Sequence, residues 1–180
     1  MPLQQNMSLY SIRAVMILDN VGNRFVAKYF PKSKDEFDSR KSQETFEKKL
    51  FDKTNRSAAE IVMFDGYLVV YQSCADVIFY VVGPQDENEL ILLSALNTFK
   101  DTIDSLLKGQ VDKRSLLENL DYVLLTIDEL VDGGILLETD SEVISSRVSL
   151  KGADGDIPLA EQTLTQAFQT AKDQFLQNLF

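Results

Sequence analysis

The sequence contains no histidine, no tryptophan and only one cysteine, Cys74. Without histidine, Ser-His-Asp and Cys-His catalysis, histidine-ligated metals and the usual general base near neutral pH are excluded. A single cysteine forms neither an internal disulfide nor a structural zinc site, and we expect a reducing compartment. Neither of the common glycine-rich phosphate loops occurs. No enzyme class therefore emerges from the residues, and we expect no catalytic residue, no cofactor and no metal.

The sequence also lacks long apolar runs and targeting signals. No stretch approaches the ~20 residues that cross a bilayer as a helix. The first residues, MPLQQNMSLYS, show no charged region followed by an apolar run, so we expect no signal peptide. Pro2 stands where myristoylation needs glycine, and the last residues offer no cysteine for prenylation. We therefore expect a cytoplasmic protein that reaches a membrane only through a complex.

What is present is an acidic chain that can bury a core. Of the 180 residues 44% are hydrophobic, which suits one domain, and 28 acidic against 18 basic residues give a net charge of -10. An acidic surface repels phosphate backbones, so we expect no nucleic-acid partner. The segment from Arg24 to Arg56 differs, with ten Lys and Arg against six Asp and Glu. We favour a solvated helix face there over a surface for an acidic partner or anionic lipid.

The stretch from Glu87 to Thr139 contains two successive amphipathic patterns. Apolar residues recur at steps of four and three, which predicts two helices with one buried face each. The first should end at Gly109 and the second at Gly133-Gly134, because glycine closes helices. The two stripes are Leu92, Leu96, Phe99, Ile103 and Leu106, and then Leu116, Leu120, Val123, Ile127 and Leu130. Polar residues that should face away from the stripes are Asn97, Asp101, Asp104 and Asp121.

The first half of the chain predicts a sheet. Runs of β-branched and aromatic residues between turn formers indicate five strands. These runs are Tyr10–Leu18, Arg24–Phe30, Ile61–Phe64, Tyr67–Tyr71 and Val77–Gly83. Asp65-Gly66 suits the type I′ turn of a hairpin. A helix capped by Ser39 or Ser42 and ending near Asn55 separates the second and third strands.

The element order β-β-α-β-β-β-α-α predicts an α+β fold. We expect a five-stranded antiparallel sheet with the first helix on one face and the later pair on the other. A short polar helix around Ser141–Arg147 should close a main domain at residues 8–150, after a flexible N-terminus at 1–7. A linker at 151–157 then leads to a C-terminal amphipathic helix at 158–180. That helix either folds back on the domain or docks in a partner's groove. Its candidate partner-interface residues are Leu164, Phe168, Phe175 and Leu179.

Several residues suggest chemistry that their spacing does not support. Asp128 and Glu129 are adjacent, and neighbouring positions on a helix point in different directions. The same holds for Asp86-Glu87, whose charge suits a helix N-terminus. Asp154-Gly155-Asp156 lacks the spaced ligands of a calcium loop. Lys48-Lys49 is typical of a solvated helix face.

Short segments spread over nearly the whole chain carry a family resemblance. They include Ala14–Asn20 (AVMILDN), Glu87–Leu90 (ENEL), Val111–Arg114 (VDKR) and Leu130–Thr139 (LVDGGILLET). In their order and spacing they resemble the small chains of vesicle coats, namely the sigma subunits of clathrin adaptors and the zeta subunit of coatomer, which share the longin fold. The tail segment Pro158–Thr163 (PLAEQT) is similar to the zeta branch, whereas sigma chains end sooner.

The resemblance implies a non-enzymatic, longin-like subunit of the COPI coat. Zeta pairs directly with the large gamma subunit, and beta and delta complete the same adaptor-like subcomplex. An Arf-type GTPase recruits this coat to the cytosolic face of Golgi membranes for Golgi-to-ER retrograde and intra-Golgi vesicle transport. The implied role is to hold the helical solenoid of gamma in shape. The alternatives are a sigma-type chain of a clathrin adaptor and a longin-domain trafficking regulator.

Overall fold

Five antiparallel strands form the centre of the fold in the computed structural model, which describes residues 11–32, 37, 39–55 and 60–153. The strands are β1 (Ala14–Asp19), β2 (Arg24–Tyr29), β3 (Ile61–Phe64), β4 (Tyr67–Cys74) and β5 (Val77–Pro84). They lie in the order β2-β1-β5-β4-β3. The predicted five-stranded antiparallel sheet is therefore confirmed.

The central position of β1 and β5 in the sheet explains why their sequences are continuously apolar. Every residue of β1 is buried, and so is β5 up to Gly83. Helices cover both faces of these two strands, so neither face can be polar. The Asp65-Gly66 turn between β3 and β4 has positive φ at both residues, 52° and 81°, as a type I′ turn requires.

One helix, α1 (Arg40–Thr54), covers the first face of the sheet. Ser39 caps it, since the Ser39 hydroxyl accepts a hydrogen bond from the backbone N–H of Ser42 at 3.2 Å. Its apolar stripe of Phe46, Leu50 and Phe51 packs into the core on this side of the sheet. The cap and the stripe follow the sequence prediction.

The remaining helices lie on the opposite face. They are α2 (Glu89–Leu106), α3 (Lys113–Glu118), α4 (Leu120–Leu130) and α5 (Ser141–Ala153). The stripe of α2 is buried except for half-buried Leu106. Gly83 allows the close approach of this helix, because a Cβ there would lie 2.7 Å from the Leu92 side chain. The four polar positions predicted to face outward are all exposed.

The second predicted helix of this stretch is two helices, which corrects the single helix expected from the sequence. The chain breaks at Asn119, whose φ of -127° and ψ of 41° are not helical. Asp112 caps α3 by accepting hydrogen bonds from the backbone N–H groups of Arg114 and Ser115, each at 2.9 Å. The break rotates Leu120 away from the core, and 36% of this residue is exposed.

Gly133-Gly134 also differs from its prediction. The pair forms the turn of a small hairpin, β6 (Val131–Asp132) and β7 (Ile135–Leu136), and α4 ends directly at the first of these strands. Helix α5 continues to Ala153, so it extends past Arg147 and includes the first three residues of the expected linker. The N-terminus at 1–7, the rest of the linker and the helix expected at 158–180 lie outside the described residues.

Candidate interaction surface

The described part of the chain brings together no group of three or more His, Cys, Asp or Glu side chains that could hold a metal ion. The acidic neighbours Asp128 and Glu129 diverge as predicted. Asp128 pairs with Lys28 of β2, and Glu129 pairs with Lys151 and Arg147 of α5. Both carboxylates thus have structural partners in different elements.

The basic pair on α1 and the single cysteine also have ordinary surroundings. Lys48 and Lys49 are exposed on α1, as predicted for a solvated face. Cys74 is half-buried at the end of β4, with its Sγ 3.8 Å from the carbonyl oxygen of Val111. The Asp154-Gly155-Asp156 segment lies outside the described residues.

Asp19 joins the β1–β2 turn to the start of α3. Its side chain is 3% exposed, and its Oδ2 lies 2.8 Å from the Lys113 ammonium. Its Oδ1 accepts hydrogen bonds from the backbone N–H groups of Asn23 at 2.7 Å and Val21 at 3.1 Å. Burial raises the pKa of Asp19, but the bonds from Lys113, Asn23 and Val21 more than offset this and lower the pKa to about 2.

Replacing Asp19 with asparagine should lower the free energy of unfolding at neutral pH by about 2 kcal/mol, since one pKa unit corresponds to about 1.4 kcal/mol. The depressed pKa stabilises the fold fully above the unfolded-state pKa near 4, and this contribution disappears as the pH falls towards 2. Urea titrations between pH 7 and 2 should therefore show a shallower acid dependence for D19N. An unchanged slope below pH 4 would contradict the assignment.

A second buried polar group links β2 to α1. Glu47 is 2% exposed, and Arg24 donates to it from Nη2 at 2.6 Å and from Nε at 3.0 Å. The Tyr29 hydroxyl donates to Glu47 Oε1 at 2.7 Å. Burial and the bond to Glu47 raise the pKa of Tyr29, so its hydroxyl stays protonated. All of these partners are internal, which is typical of a structural ion pair.

Charged side chains join helix α5 to the end of α4, beside the packing of its buried Ile144 and Val148. Glu129 near the end of α4 pairs with Lys151 and, at 3.5 Å, with Arg147. Arg147 also lies 3.8 Å from Glu138. The Lys151 ammonium lowers the pKa of Glu129. This cluster places the last described residues of the chain beside the C-terminal end of α4.

Three exposed leucines follow one another along α3 and α4, and we call them the leucine ridge. They are Leu117, Leu120 and Leu124, with 64%, 36% and 46% of each residue exposed. Leu120 and Leu124 are four residues apart on α4 and lie on one side of that helix, and Leu117 lies on α3 just before the break at Asn119. Adjacent apolar side chains that stay exposed are typical of an interaction surface. The ridge is the candidate interaction surface of the described chain.

The ridge was not predicted from the sequence. The periodic pattern placed Leu120 in the buried stripe and gave no role to Leu117 or Leu124. A signal was present, since these two leucines fall outside the stripe that the core requires. A smaller exposed apolar pair, Ile61 and Met63, lies on the edge strand β3, with 40% and 43% exposed.

The four residues predicted from the sequence as a partner interface are not placed by the structure. Leu164, Phe168, Phe175 and Leu179 all lie outside the described residues. Among the helices that are described, none is long and apolar enough to cross a membrane.

The fold is similar to that of a known adaptor subunit. A chain in a homology model of the full-length AP-3 complex, in a stretched open conformation, superposes with a TM-score of 0.57 at 19% identity. The match covers 86% of this chain and 98% of the other. It supports the longin-like fold expected from the sequence.

The sequence comparisons are more specific. The family model of the clathrin adaptor complex small chain matches residues 11–154. Coatomer subunit zeta-1 of Homo sapiens is 46% identical over 167 residues, 93% of this chain and 92% of the relative. Coatomer subunit zeta-1 of Oryza sativa is 45% identical over 94% of this chain and 96% of the relative. The probable coatomer subunit zeta-A of Dictyostelium discoideum is 42% identical over 92% and 94%.

These relatives are components of a coat and not enzymes, which agrees with the prediction of a non-enzymatic subunit. Both the fold and the identity over nearly the full length lead to the same family. The chain belongs to the clathrin adaptor small-chain family and, within it, to the coatomer zeta subunits.

Proposed function

We propose that this chain pairs directly with the large gamma subunit of coatomer, as the zeta subunit of a COPI coat. One observation supports this more than any other. The alignment with human zeta-1 spans 167 residues, whereas the small-chain family model ends at residue 154 of this chain. The likeness to coatomer zeta therefore continues into the C-terminal segment, beyond the domain shared by all small chains.

In this proposal the chain works as part of a larger assembly. Gamma and zeta join beta and delta in the adaptor-like subcomplex, and an Arf-type GTPase brings the coat to the cytosolic face of Golgi membranes. The chain itself would contact the membrane only through the complex, and transport would run from Golgi to ER and within the Golgi. A negative net charge of -10 suits this indirect membrane association, because an acidic surface is repelled by anionic lipids.

The described surface is compatible with a structural role. Its shifted titratable groups, such as Asp19 and Glu129, are held in internal ion pairs. Exposed apolar side chains are concentrated on helical surfaces and one sheet edge, which suits contact with other protein chains. A sigma-type chain of a clathrin adaptor is the second candidate, because the family model and the AP-3 likeness are common to both branches.

Co-expression with coatomer gamma tests the proposal. We expect the two chains to elute together from size-exclusion chromatography with one copy of each, because the pair would bury apolar surface that neither subunit covers alone. The mass of the complex, measured by light scattering, checks the stoichiometry.

The matched control is the large subunit of a clathrin adaptor, expressed with this chain under the same conditions. Co-elution with the clathrin subunit and not with coatomer gamma would favour the sigma alternative. A chain that elutes alone in both experiments would refute the proposal.

A further inference from the structure

The end of the described chain lies close to the leucine ridge. Lys151 in the last turns of α5 pairs with Glu129, so the chain leaves the domain near the C-terminal end of α4. Leu124 precedes Glu129 by five residues on the same helix, about 7.5 Å along its axis. The ridge therefore begins within about one and a half helical turns of the point where the C-terminal segment starts.

The C-terminal segment is long enough to reach this surface. Ten residues lie between Ala153 and Leu164, and the eleven steps from one to the other span up to ~36 Å when extended. Helix α4 has 11 residues and is only about 16 Å long. The connection can therefore pass along the whole of α4 without strain.

The apolar pattern of the segment is long enough to cover the ridge. From Leu164 to Phe175 the stripe would extend about 16 Å as a helix, while Leu120 and Leu124 lie about 6 Å apart along the axis of α4, with Leu117 on the short helix before it. A helix lying antiparallel to α4 would place Phe168 and its neighbours over the three leucines. We propose that residues 158–180 pack in cis on the leucine ridge, so that this segment of the chain covers it.

The charge of the segment favours a protein surface over a lipid surface. Residues 158–180 contain one basic residue, Lys172, and two acidic residues, Glu161 and Asp173. Helices that lie on anionic membranes are rich in Lys and Arg on their polar face. A nearly neutral segment with a row of Phe and Leu would instead bury these side chains against an apolar protein surface.

The covalent connection between the segment and the domain favours packing on this chain's own ridge over packing on the ridge of a second copy. A short flexible connection holds its end at an effective concentration in the millimolar range. At micromolar protein concentrations the cis contact therefore outcompetes an equivalent contact between two copies. A second exposed apolar pair, Ile61 and Met63, lies on edge strand β3, whereas α4 contacts β2 at the opposite edge through the Lys28–Asp128 pair. The ridge is thus nearer to the start of the segment than the β3 pair is.

A single tryptophan tests the contact, because the chain has none of its own. In the full-length Phe168→Trp variant we expect the emission maximum of a buried indole. Adding Leu120→Asp and Leu124→Asp should shift the emission to the longer wavelength of a solvated indole. Both leucines are already partly exposed, so the domain should keep its circular dichroism spectrum and melting transition.

The matched control is Leu90→Asp in the same tryptophan variant. Leu90 is a leucine at 67% exposure on α2, and this change should leave the emission unchanged. In a second measurement, Phe168→Asp together with Phe175→Asp in the otherwise native chain should increase amide hydrogen exchange across residues 117–124.

Three results would overturn the cis contact. The first is a solvated indole in the free Phe168→Trp chain. The second is burial that appears only when coatomer gamma is added, which would assign the segment to the partner. The third is burial that disappears on dilution, which would assign it to a second copy. The first and third results are measured on this chain alone, so they do not depend on whether gamma and this chain co-elute.

Discussion

Replacing Arg24 with methionine should lower the free energy of unfolding by about 3–5 kcal/mol, the typical cost of removing one member of a buried ion pair. Glu47 is 2% exposed and accepts two charge-assisted hydrogen bonds from Arg24. Without Arg24, the carboxylate stays buried between α1 and β2, where the Tyr29 hydroxyl still donates to its Oε1 but brings no positive charge. Urea denaturation at neutral pH measures the loss.

The double variant R24M/E47M separates this loss from the net contribution of the pair. Removing both charges leaves apolar side chains of similar length, and buried ion pairs replaced in this way are often neutral in stability. We expect most of the loss to be recovered. A residual cost of about 1 kcal/mol should remain because the Tyr29 hydroxyl loses its acceptor, and adding Tyr29→Phe should reduce it.

The exposed pair Arg40–Glu44 is the matched control on the same helix. Its side chains are 80% and 44% exposed, and such i,i+4 pairs contribute about 0.3–0.5 kcal/mol. R40M should therefore have an effect near the error of the measurement. If R24M were equally mild, the pair would behave as a surface pair and its structural role would be refuted.

The sheet and the first helix were predictable because their sequence signals are local. β-branched runs, the Asp65-Gly66 turn and the Ser39 cap each determine structure within a few residues. The burial of β1 on both faces follows from its unbroken apolar run. The element order predicted the antiparallel sheet and the faces on which the helices lie, and the family resemblance added the longin-like fold.

The break at Asn119 and the exposure of Leu120 could not be predicted, because they depend on contacts between distant parts of the chain. Periodicity from Leu116 to Leu130 fits one continuous helix. In the structure, the hydrogen bond from Lys113 N–H to Asp76 and the Lys113–Asp19 pair fix α3 against the β1–β2 and β4–β5 turns. After the break, α4 begins at Leu120 and packs on α2 and α5. Leu120, which the pattern placed in the buried stripe, is therefore partly exposed and joins Leu117 and Leu124 in the candidate surface.

The contact that the Gly133-Gly134 hairpin makes with the rest of the fold could likewise not be predicted from the sequence. Glycine predicts a positive φ, which is found at both positions, 55° and 86°. It does not predict what the residue approaches. Gly134 lies against the start of β1, where its carbonyl accepts a hydrogen bond from the N–H of Ile12 at 3.0 Å. A Cβ at Gly134 would lie 2.7 Å from the Ile12 carbonyl oxygen, so only glycine allows this contact.

Replacing Gly134 with alanine should therefore lower the free energy of unfolding by about 3 kcal/mol. About 1–2 kcal/mol comes from placing a Cβ at positive φ, and a similar amount comes from forcing the hairpin away from fully buried Ile12. Gly109→Ala is the matched control, because Gly109 has nearly the same φ of 81°, and a Cβ there would meet no other described atom within 4 Å. It should cost only the conformational part, about 1–2 kcal/mol. Urea denaturation of both variants measures the difference, which reports the contact between the hairpin and β1. Equal losses would mean that the hairpin moves aside freely, and that its packing on β1 contributes little to the fold.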